Sequence, residues 1–103
     1  ATGTTLAWAT HPHVALTANP VFTGAPPFLE NEHARADRYN ELLYAAAERN
    51  PAIHLIDLAG YLQQRPAGEF APGLREDGIH LDTRDAPDVA EFLAVELAAS
   101  YAG

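Results

Sequence analysis

Residues 52–59 read Ala-Ile-His-Leu-Ile-Asp-Leu-Ala, a nearly continuous apolar run of strand length. A run without polar alternation is typical of a parallel strand whose two faces are both covered. A second run, His13–Ala18, contains β-branched residues and stops at Asn19-Pro20, which predicts another buried strand. The two runs are therefore expected to pair in a parallel sheet.

The stretch between these runs has the period of a helix. From about Glu32 to Asn50, apolar residues recur at spacings of three and four, which places them on one helical face. The stripe consists of Tyr39, Leu42, Leu43, Ala46 and Ala47. Asn50-Pro51 ends the helix, because the residue before a proline disfavours helical backbone. Strand, helix and strand predict a βαβ unit with a right-handed crossover.

The flanking segments predict less regular structure. Thr4–Ala9 is expected to form the last turns of a helix that ends at His11-Pro12. Val21–Glu32 is broken by glycine and proline and is expected to be a loop. Gly60–Glu76 is expected to be irregular, with one helical turn around Tyr61–Gln64.

A last helix is predicted near the C-terminus. Asp85-Ala86-Pro87-Asp88 has proline and acidic residues in the first turn, where both are favourable. The apolar stripe of this helix is Val89, Phe92, Leu93 and Leu97.

Composition excludes several classes of function. The 103 residues contain 6 basic and 14 acidic side chains, giving a formal net charge of -8, and every basic residue is an arginine. Such a chain has neither a nucleic-acid footprint nor a polybasic membrane anchor. There is no cysteine, so disulfides, a thiolate nucleophile and cysteine-ligated zinc are excluded.

The predicted elements are too few for an independent sheet. Two parallel strands leave an unpaired edge, and an isolated pair is not expected to be stable. The chain also begins Ala1-Thr2-Gly3, without an initiator methionine. We therefore expect residues 1–103 to be the C-terminal part of a single α/β domain whose N-terminal half supplies further strands.

The segment Leu74–Leu81 carries the most distinctive chemistry. Asp77 precedes His80 by three residues, with Gly78 between them to allow a tight turn. In such a turn the carboxylate can accept a hydrogen bond from the imidazole Nδ1, which leaves Nε2 as a general base. The alternative is that His80 is a solvated or structural histidine, since short acid-to-histidine spacings are common.

The element order and this segment resemble the C-terminal half of the SGNH, or GDSL-type, hydrolase and acyltransferase superfamily. Its D-G-x-H-(L/F) block is matched by Asp77, Gly78, Ile79, His80 and Leu81, preceded by Arg75. The segment Arg38-Tyr39-Asn40-x-x-Leu43 is similar to the start of the preceding helix in bacterial members. The arginine-containing block looks most like the SGNH domains that follow a membrane acyltransferase-3 domain. One departure is Asp85-Ala86-Pro87, where the family usually has a glycine that opens the last helix.

The resemblance implies a three-layer, flavodoxin-like α/β fold with a parallel sheet. It makes His80 the general base and Asp77 the residue that orients it. The nucleophilic serine and the oxyanion-hole donors belong to the N-terminal half of such proteins, and the only serine here is Ser100 in the last helix. No metal or cofactor is implied.

Other polar residues are weaker candidates. Asn19 and Asp57 follow predicted strands, and parallel sheets bind ligands at the carboxyl ends of their strands, so both are candidate cleft residues. The alternative for each is a cap or turn former. His11 and His13 have strand-like spacing for a metal pair, but no third ligand lies nearby in sequence. His33 and His54 are expected to be structural.

The function implied by the resemblance is serine-dependent ester chemistry. The substrate would be an acylated carbohydrate or a small ester, and the acyl group would pass to water or to a sugar hydroxyl. The alternatives are a non-catalytic α/β module that binds a glycan or a partner chain, and an unrelated receiver-like or nucleotide-binding domain. Contact with a membrane is expected only through an upstream domain. The compartment is not specified by the sequence, and an extracytoplasmic or secreted location follows only from the acyltransferase-3 resemblance.

Overall fold

The protein forms a small mixed α/β domain. The structure is a computed structural model and describes residues 4–16, 27–71, 74–75, 78–81 and 86–102. Within these ranges the elements are strands β1 (Leu6–Ala9) and β2 (Ile53–Ile56), a 3₁₀ turn over Leu29–Asn31, and three helices. The helices are α1 (His33–Arg49), α2 (Leu58–Gln63) and α3 (Ala86–Ala102).

The two strands pair in parallel, with Leu6 opposite Ile53 and Ala9 opposite Ile56. Helix α1 lies between them in sequence and contacts β2, as does α3. A parallel pair of strands with a helix between them in sequence is therefore confirmed, although its first strand is not the predicted one. The described ranges contain only these two strands, so the three-layer, flavodoxin-like arrangement stays a prediction.

The position of the first strand was predicted wrongly. Thr4–Ala9, expected to be helical, contains strand β1, and His13–Leu16, expected to start a strand, has no regular secondary structure. Of the four residues of β1, Leu-Ala-Trp-Ala, only tryptophan favours a strand, so pairing with β2 rather than local propensity accounts for its conformation. The rest of the second predicted strand, residues 17 and 18, lies outside the described residues.

Two asparagines hold the irregular segment that follows β1. Asn40 of α1 accepts from the backbone N–H of His11 at 2.8 Å and donates to its carbonyl oxygen at 2.9 Å. Asn31 makes the same pair of bonds with the backbone of Leu16. Side-chain amides thus replace the ladder hydrogen bonds that a strand would have supplied.

Helix α1 agrees with the predicted range. The loop predicted over Val21–Glu32 agrees only in part with the structure. Leu43 is buried, whereas Tyr39 and Leu42 of the predicted stripe are 43% and 53% exposed. The segment before α1 is not wholly irregular, because Leu29–Asn31 forms the 3₁₀ turn.

Strand β2 ends earlier than predicted because Asp57 begins a helix. Its side chain accepts from the backbone N–H of Gly60 at 3.0 Å and caps α2. Leu58 and Ala59, expected in the strand, therefore belong to α2, which also replaces the single turn predicted around Tyr61–Gln64.

Thr10 joins the end of β1 to this cap. Its hydroxyl donates to Asp57 Oδ1 at 3.1 Å and accepts from the backbone N–H of Ala59 at 2.9 Å. The residue is only 2% exposed. One buried hydroxyl therefore links the segment after β1 to the segment after β2.

The core lies where α2, the segment before His80 and α3 meet. Leu62, Leu74 and Val89 are buried together, and the side chains packed around them are Leu58, Tyr61, Ala71, Leu81 and Leu93. Helix α3 has proline and an acidic residue in its first turn, as predicted. Leu97 of its predicted stripe is 42% exposed and so does not join this core.

Much large apolar surface is exposed in the described part of the chain. Leu6 and Trp8 of β1 are 46% and 41% exposed, and in these ranges β1 pairs with β2 alone. No helix among the described residues is both long and apolar enough to cross a membrane.

We expect Thr10→Val to lower the free energy of unfolding by about 1–3 kcal/mol, because the buried N–H of Ala59 loses its acceptor. Thr5→Val is the matched control, since Thr5 is exposed on the same N-terminal segment. Urea unfolding of both variants measures the difference. Equal effects of the two substitutions would contradict the structural role given to Thr10.

Candidate active site

His80 lies on a tight turn and is exposed. The backbone N–H of Gly78 donates to the carbonyl oxygen of Arg75 at 2.9 Å and closes the turn. The backbone N–H of Ala15 donates to the carbonyl oxygen of Gly78 at 3.0 Å. This turn, which ends at Gly78, is thus fixed against the irregular segment that follows β1. The predicted turn from Asp77 to His80 begins outside the described residues and stays a prediction.

Gly78 is required by both its conformation and its surroundings. Its φ is +79°, a region that other residues rarely adopt. A Cβ built on it would lie 2.0 Å from the carbonyl oxygen of Ala15. The glycine of this block therefore allows two backbone segments to approach closely, in addition to allowing the turn.

A cavity of about 250 Å³ places this turn at the carboxyl end of the sheet. Its walls come from the segment after β1, from α2 directly after β2, and from both neighbours of His80 in sequence. The lining residues are His11, Pro12, Val14, Leu58, Leu62, Arg75, Ile79 and Leu81. This is the end of a parallel sheet where ligands bind in α/β proteins.

A second cavity, of about 340 Å³, shares His11, Val14 and Ile79 with the first. Its other lining residues come from the segment after β1, from the 3₁₀ turn and from the first half of α1; they are Leu16, Glu30, Arg35, Ala36 and Tyr39. The wall is mainly apolar, with charged groups of both signs. Such a space suits a small ligand that has an apolar part and polar substituents.

Arg75 is a buried cation beside the turn. Its side chain is 2% exposed, and its Nε donates to the carbonyl oxygen of Ile79 at 3.2 Å. One terminal nitrogen donates to the carbonyl oxygen of Gly78 at 3.3 Å, and the other lies 4.0 Å from Glu69 Oε1. The guanidinium also lies 4.9 Å from the centre of the Phe70 ring.

His13 connects Glu69 to helix α1. Its Nδ1 lies 3.0 Å from Glu69 Oε2, and its Nε2 lies 2.7 Å from Asp37 Oδ1. Its ring stacks on that of His33 at 3.9 Å between centres. Burial disfavours the imidazolium, but hydrogen bonds and charges from the two carboxylates outweigh it and raise the pKa of His13 above 6.5.

The expected site residues do not all meet at the turn. Asn19 and Asp77 lie outside the described residues. Asp57 acts as a helix cap and lines a different cavity, of about 270 Å³, with residues of α2 and α3. Burial and the carboxylate of Asp57 raise the pKa of the nearby Tyr44 phenol.

The remaining serine and histidines have local partners. Ser100 is 8% exposed, and its Oγ donates to the carbonyl oxygen of Leu97 at 2.7 Å, so its hydroxyl is occupied within α3. His54 Nε2 lies 4.0 Å from Glu96 Oε2. His11 Nδ1 contacts the carbonyl oxygen of Pro12 at 2.7 Å, so it does not share a partner with His13. Across the described ranges, no group of three or more His, Asp or Glu side chains is placed to hold a metal ion.

Sequence reasoning missed the network that joins the exposed Asp37 to the largely buried side chains of His13, Glu69 and Arg75. Asp37 is 24 positions from His13, and Glu69 is 56 positions from it. No local spacing rule connects residues so far apart. The one available signal was Arg75, which stands directly before the acid–glycine–histidine block.

Comparison of the chain with protein-family models, with curated proteins and with solved structures found no match.

We expect Gly78→Ala to destabilise the protein more than Gly68→Ala does. Both glycines have positive φ, so each substitution costs about 1–2 kcal/mol in backbone strain. Only at Gly78 does the new Cβ meet backbone, while nothing lies within 4 Å at Gly68. Overpacking should add about 1–3 kcal/mol at Gly78. Chemical denaturation of the two variants tests this, and equal losses would contradict the close approach.

The raised pKa of His13 predicts a pH dependence of stability. Because the folded pKa lies above the unfolded value of 6.5, the stabilisation is fully present below about pH 6.5 and is lost as pH rises through the folded pKa. A difference of one between the folded and unfolded pKa values corresponds to about 1.4 kcal/mol. Urea unfolding of the wild type and His13→Gln, repeated at pH values from below about 6.5 upwards through the folded pKa, measures the effect.

The variant should lose this part of the pH dependence. His11→Gln, two positions away at an exposed residue, should retain it. A pH profile of His13→Gln that parallels the wild type would show that His13 is not the titrating group.

Proposed function

We propose that this chain supplies the His80–Asp77 part of the catalytic triad of an SGNH-type esterase or O-acyltransferase. The observation that carries the proposal is the placement of His80: an exposed imidazole on a turn that is fixed at the carboxyl end of a parallel sheet. The proposal includes the three-layer, flavodoxin-like fold, in which an N-terminal half supplies the other strands.

In the proposed reaction, His80 exchanges a proton at Nε2. It removes the proton from a serine hydroxyl as the serine oxygen attacks the acyl carbonyl, and it returns this proton to the departing alcohol oxygen. Water or a sugar hydroxyl then attacks the acyl-enzyme, with His80 again accepting and returning one proton. Asp77 holds the tautomer by accepting from Nδ1 and stabilises the imidazolium.

The nucleophile must come from outside these 103 residues. Ser100 is buried and bonded within α3, and the chain has no other serine. The exposed Leu6 and Trp8 on β1 are apolar surface that an adjoining part of the sheet would cover. This surface supports a missing half that pairs with β1.

The cavities beside Ile79 support an ester as the substrate class. Val14, Leu16 and Ala36 offer apolar contact to an acyl group, while Arg35 and Glu30 offer hydrogen-bonding partners to hydroxyl groups. An acylated carbohydrate has both parts.

The exposed edge of β1 also favours the second candidate, a non-catalytic module that binds a partner chain. The two functions differ in what they need from the turn. A binding module needs no general base, so substitution of His80 would leave its binding intact.

The test uses the protein that carries this chain together with its upstream sequence. His80→Ala should lower the turnover of an acetyl ester by about 10² to 10⁴ because the general base is lost. Asp77→Asn should lower kcat strongly with little change in KM, because it favours the wrong tautomer. The 103-residue chain alone should not react with a fluorophosphonate, which needs an activated serine.

His33→Ala is the matched control, because His33 is also an exposed histidine but lies at the start of α1, away from the turn that precedes His80. Its turnover should stay within a few-fold of the wild type. Turnover of His80→Ala at that level, with a native circular dichroism spectrum, would reject the enzyme proposal. Stoichiometric labelling of the isolated chain would instead contradict the expectation that the nucleophilic serine lies outside these 103 residues.

A further inference from the structure

Arg75 is the one charged residue in the described part of the chain whose side chain is almost fully buried against the turn that carries His80. Its side chain is 2% exposed, compared with 68% for Arg38 on α1. A buried guanidinium loses its hydration, so it is retained only where partners inside the protein replace the water.

The partners of Arg75 are the backbone of the turn itself. Nε donates to the carbonyl oxygen of Ile79 at 3.2 Å, and a terminal nitrogen donates to that of Gly78 at 3.3 Å. The carbonyl oxygen of Arg75 in turn accepts from the N–H of Gly78 at 2.9 Å. The planar guanidinium thus fixes two successive peptide groups directly before His80.

Glu69 lies beside the other terminal nitrogen of the guanidinium, beyond hydrogen-bond distance. Glu69 lies 4.0 Å from Arg75 with one carboxylate oxygen and 3.0 Å from His13 with the other. His13 Nε2 lies 2.7 Å from Asp37 on α1. A continuous row of charged and polar groups therefore leads from the helix surface to the turn.

A residue close to Glu69 in sequence, Ala67, has left-handed backbone although it is not a glycine. Ala67 has a φ of +69°, followed by Gly68 at +86°. Glu69 comes directly after this pair, so an unfavourable backbone conformation is retained in the turn that presents Glu69 to His13 and Arg75. The position of Glu69 beside His13 and Arg75 is thus maintained at a cost in backbone strain at Ala67.

We propose that Arg75 is a positioning residue for His80: its buried guanidinium, with the carboxylate of Glu69 beside it, fixes the peptide groups of Gly78 and Ile79 and so sets the direction of the imidazole. The catalytic meaning of this direction rests on the proposed function. The positioning itself does not rest on the proposed function, because it concerns only the conformation of the turn.

The test is amide hydrogen exchange with NMR detection on the protein that carries this chain together with its upstream sequence. Arg75→Met removes the charge and the donors but keeps the length of the side chain. The N–H groups of Gly78 and Ala15, which close and anchor the turn, should exchange at least about tenfold faster than in the wild type. The imidazole ¹H–¹⁵N signal of His80 should change position. Arg75→Lys keeps the charge but loses the planar set of guanidinium donors, and it should give a smaller increase in the exchange rates.

Arg38→Met is the matched control, since Arg38 pairs only with exposed Glu41 in its described contacts. It should leave both amides and His80 unchanged. The proposal is supported if Arg75→Met raises the exchange rates of the Gly78 and Ala15 amides but not those of amides in α1 and β2. Exchange within about twofold of the wild type would overturn it, and so would an equal increase over the whole chain, which indicates general destabilisation.

If Arg75→Met does not fold, Arg75→Lys decides the matter. A local increase at Gly78 and Ala15 supports positioning, and a wild-type exchange pattern overturns it. No substrate or serine is needed for these measurements. Full activity of His80→Ala would therefore reject the proposed function and leave the result on Arg75 standing.

Discussion

The contact between the backbone of Ala15 and Gly78 is the constraint on which the site depends. A parallel sheet of two short strands cannot by itself fix a turn near the C-terminal helix. The hydrogen bond from Ala15 to Gly78 joins that turn to the segment leaving β1, and only glycine allows the carbonyl group of Ala15 to come so close. The position of His80 relative to the sheet follows from this approach.

The segment after β1 is held by polar side chains rather than by strand pairing. Asn40 and Asn31 bind its backbone from the helical side, and the hydroxyl of Thr10 binds the cap of α2. Each of these bonds is local in space and distant in sequence. A segment without regular structure can therefore form a stable wall of the cavities beside Ile79, because its buried backbone groups are satisfied.

Charge is concentrated inside this arrangement, although the chain as a whole is acidic. Arg75 brings positive charge to Glu69 at a point where water is largely excluded, and His13 adds a second charge when it is protonated; the interaction of such groups is stronger there than at the surface. The described core is small, and large apolar side chains of β1 remain exposed.

The sequence by itself determined the periodic elements and the turn. The spacing of apolar residues located α1, β2 and α3, and Gly78 between an acid and a histidine indicated a tight turn, because these features depend on neighbours along the chain. It misplaced β1, since a short apolar run such as Leu6–Ala9 has too few residues to show its period. Only the tertiary structure decided that Asp57 caps a helix, that His13 lies between two carboxylates, and that Arg75 faces the turn. These arrangements depend on residues far apart in sequence, and no pattern of spacing records which of them meet.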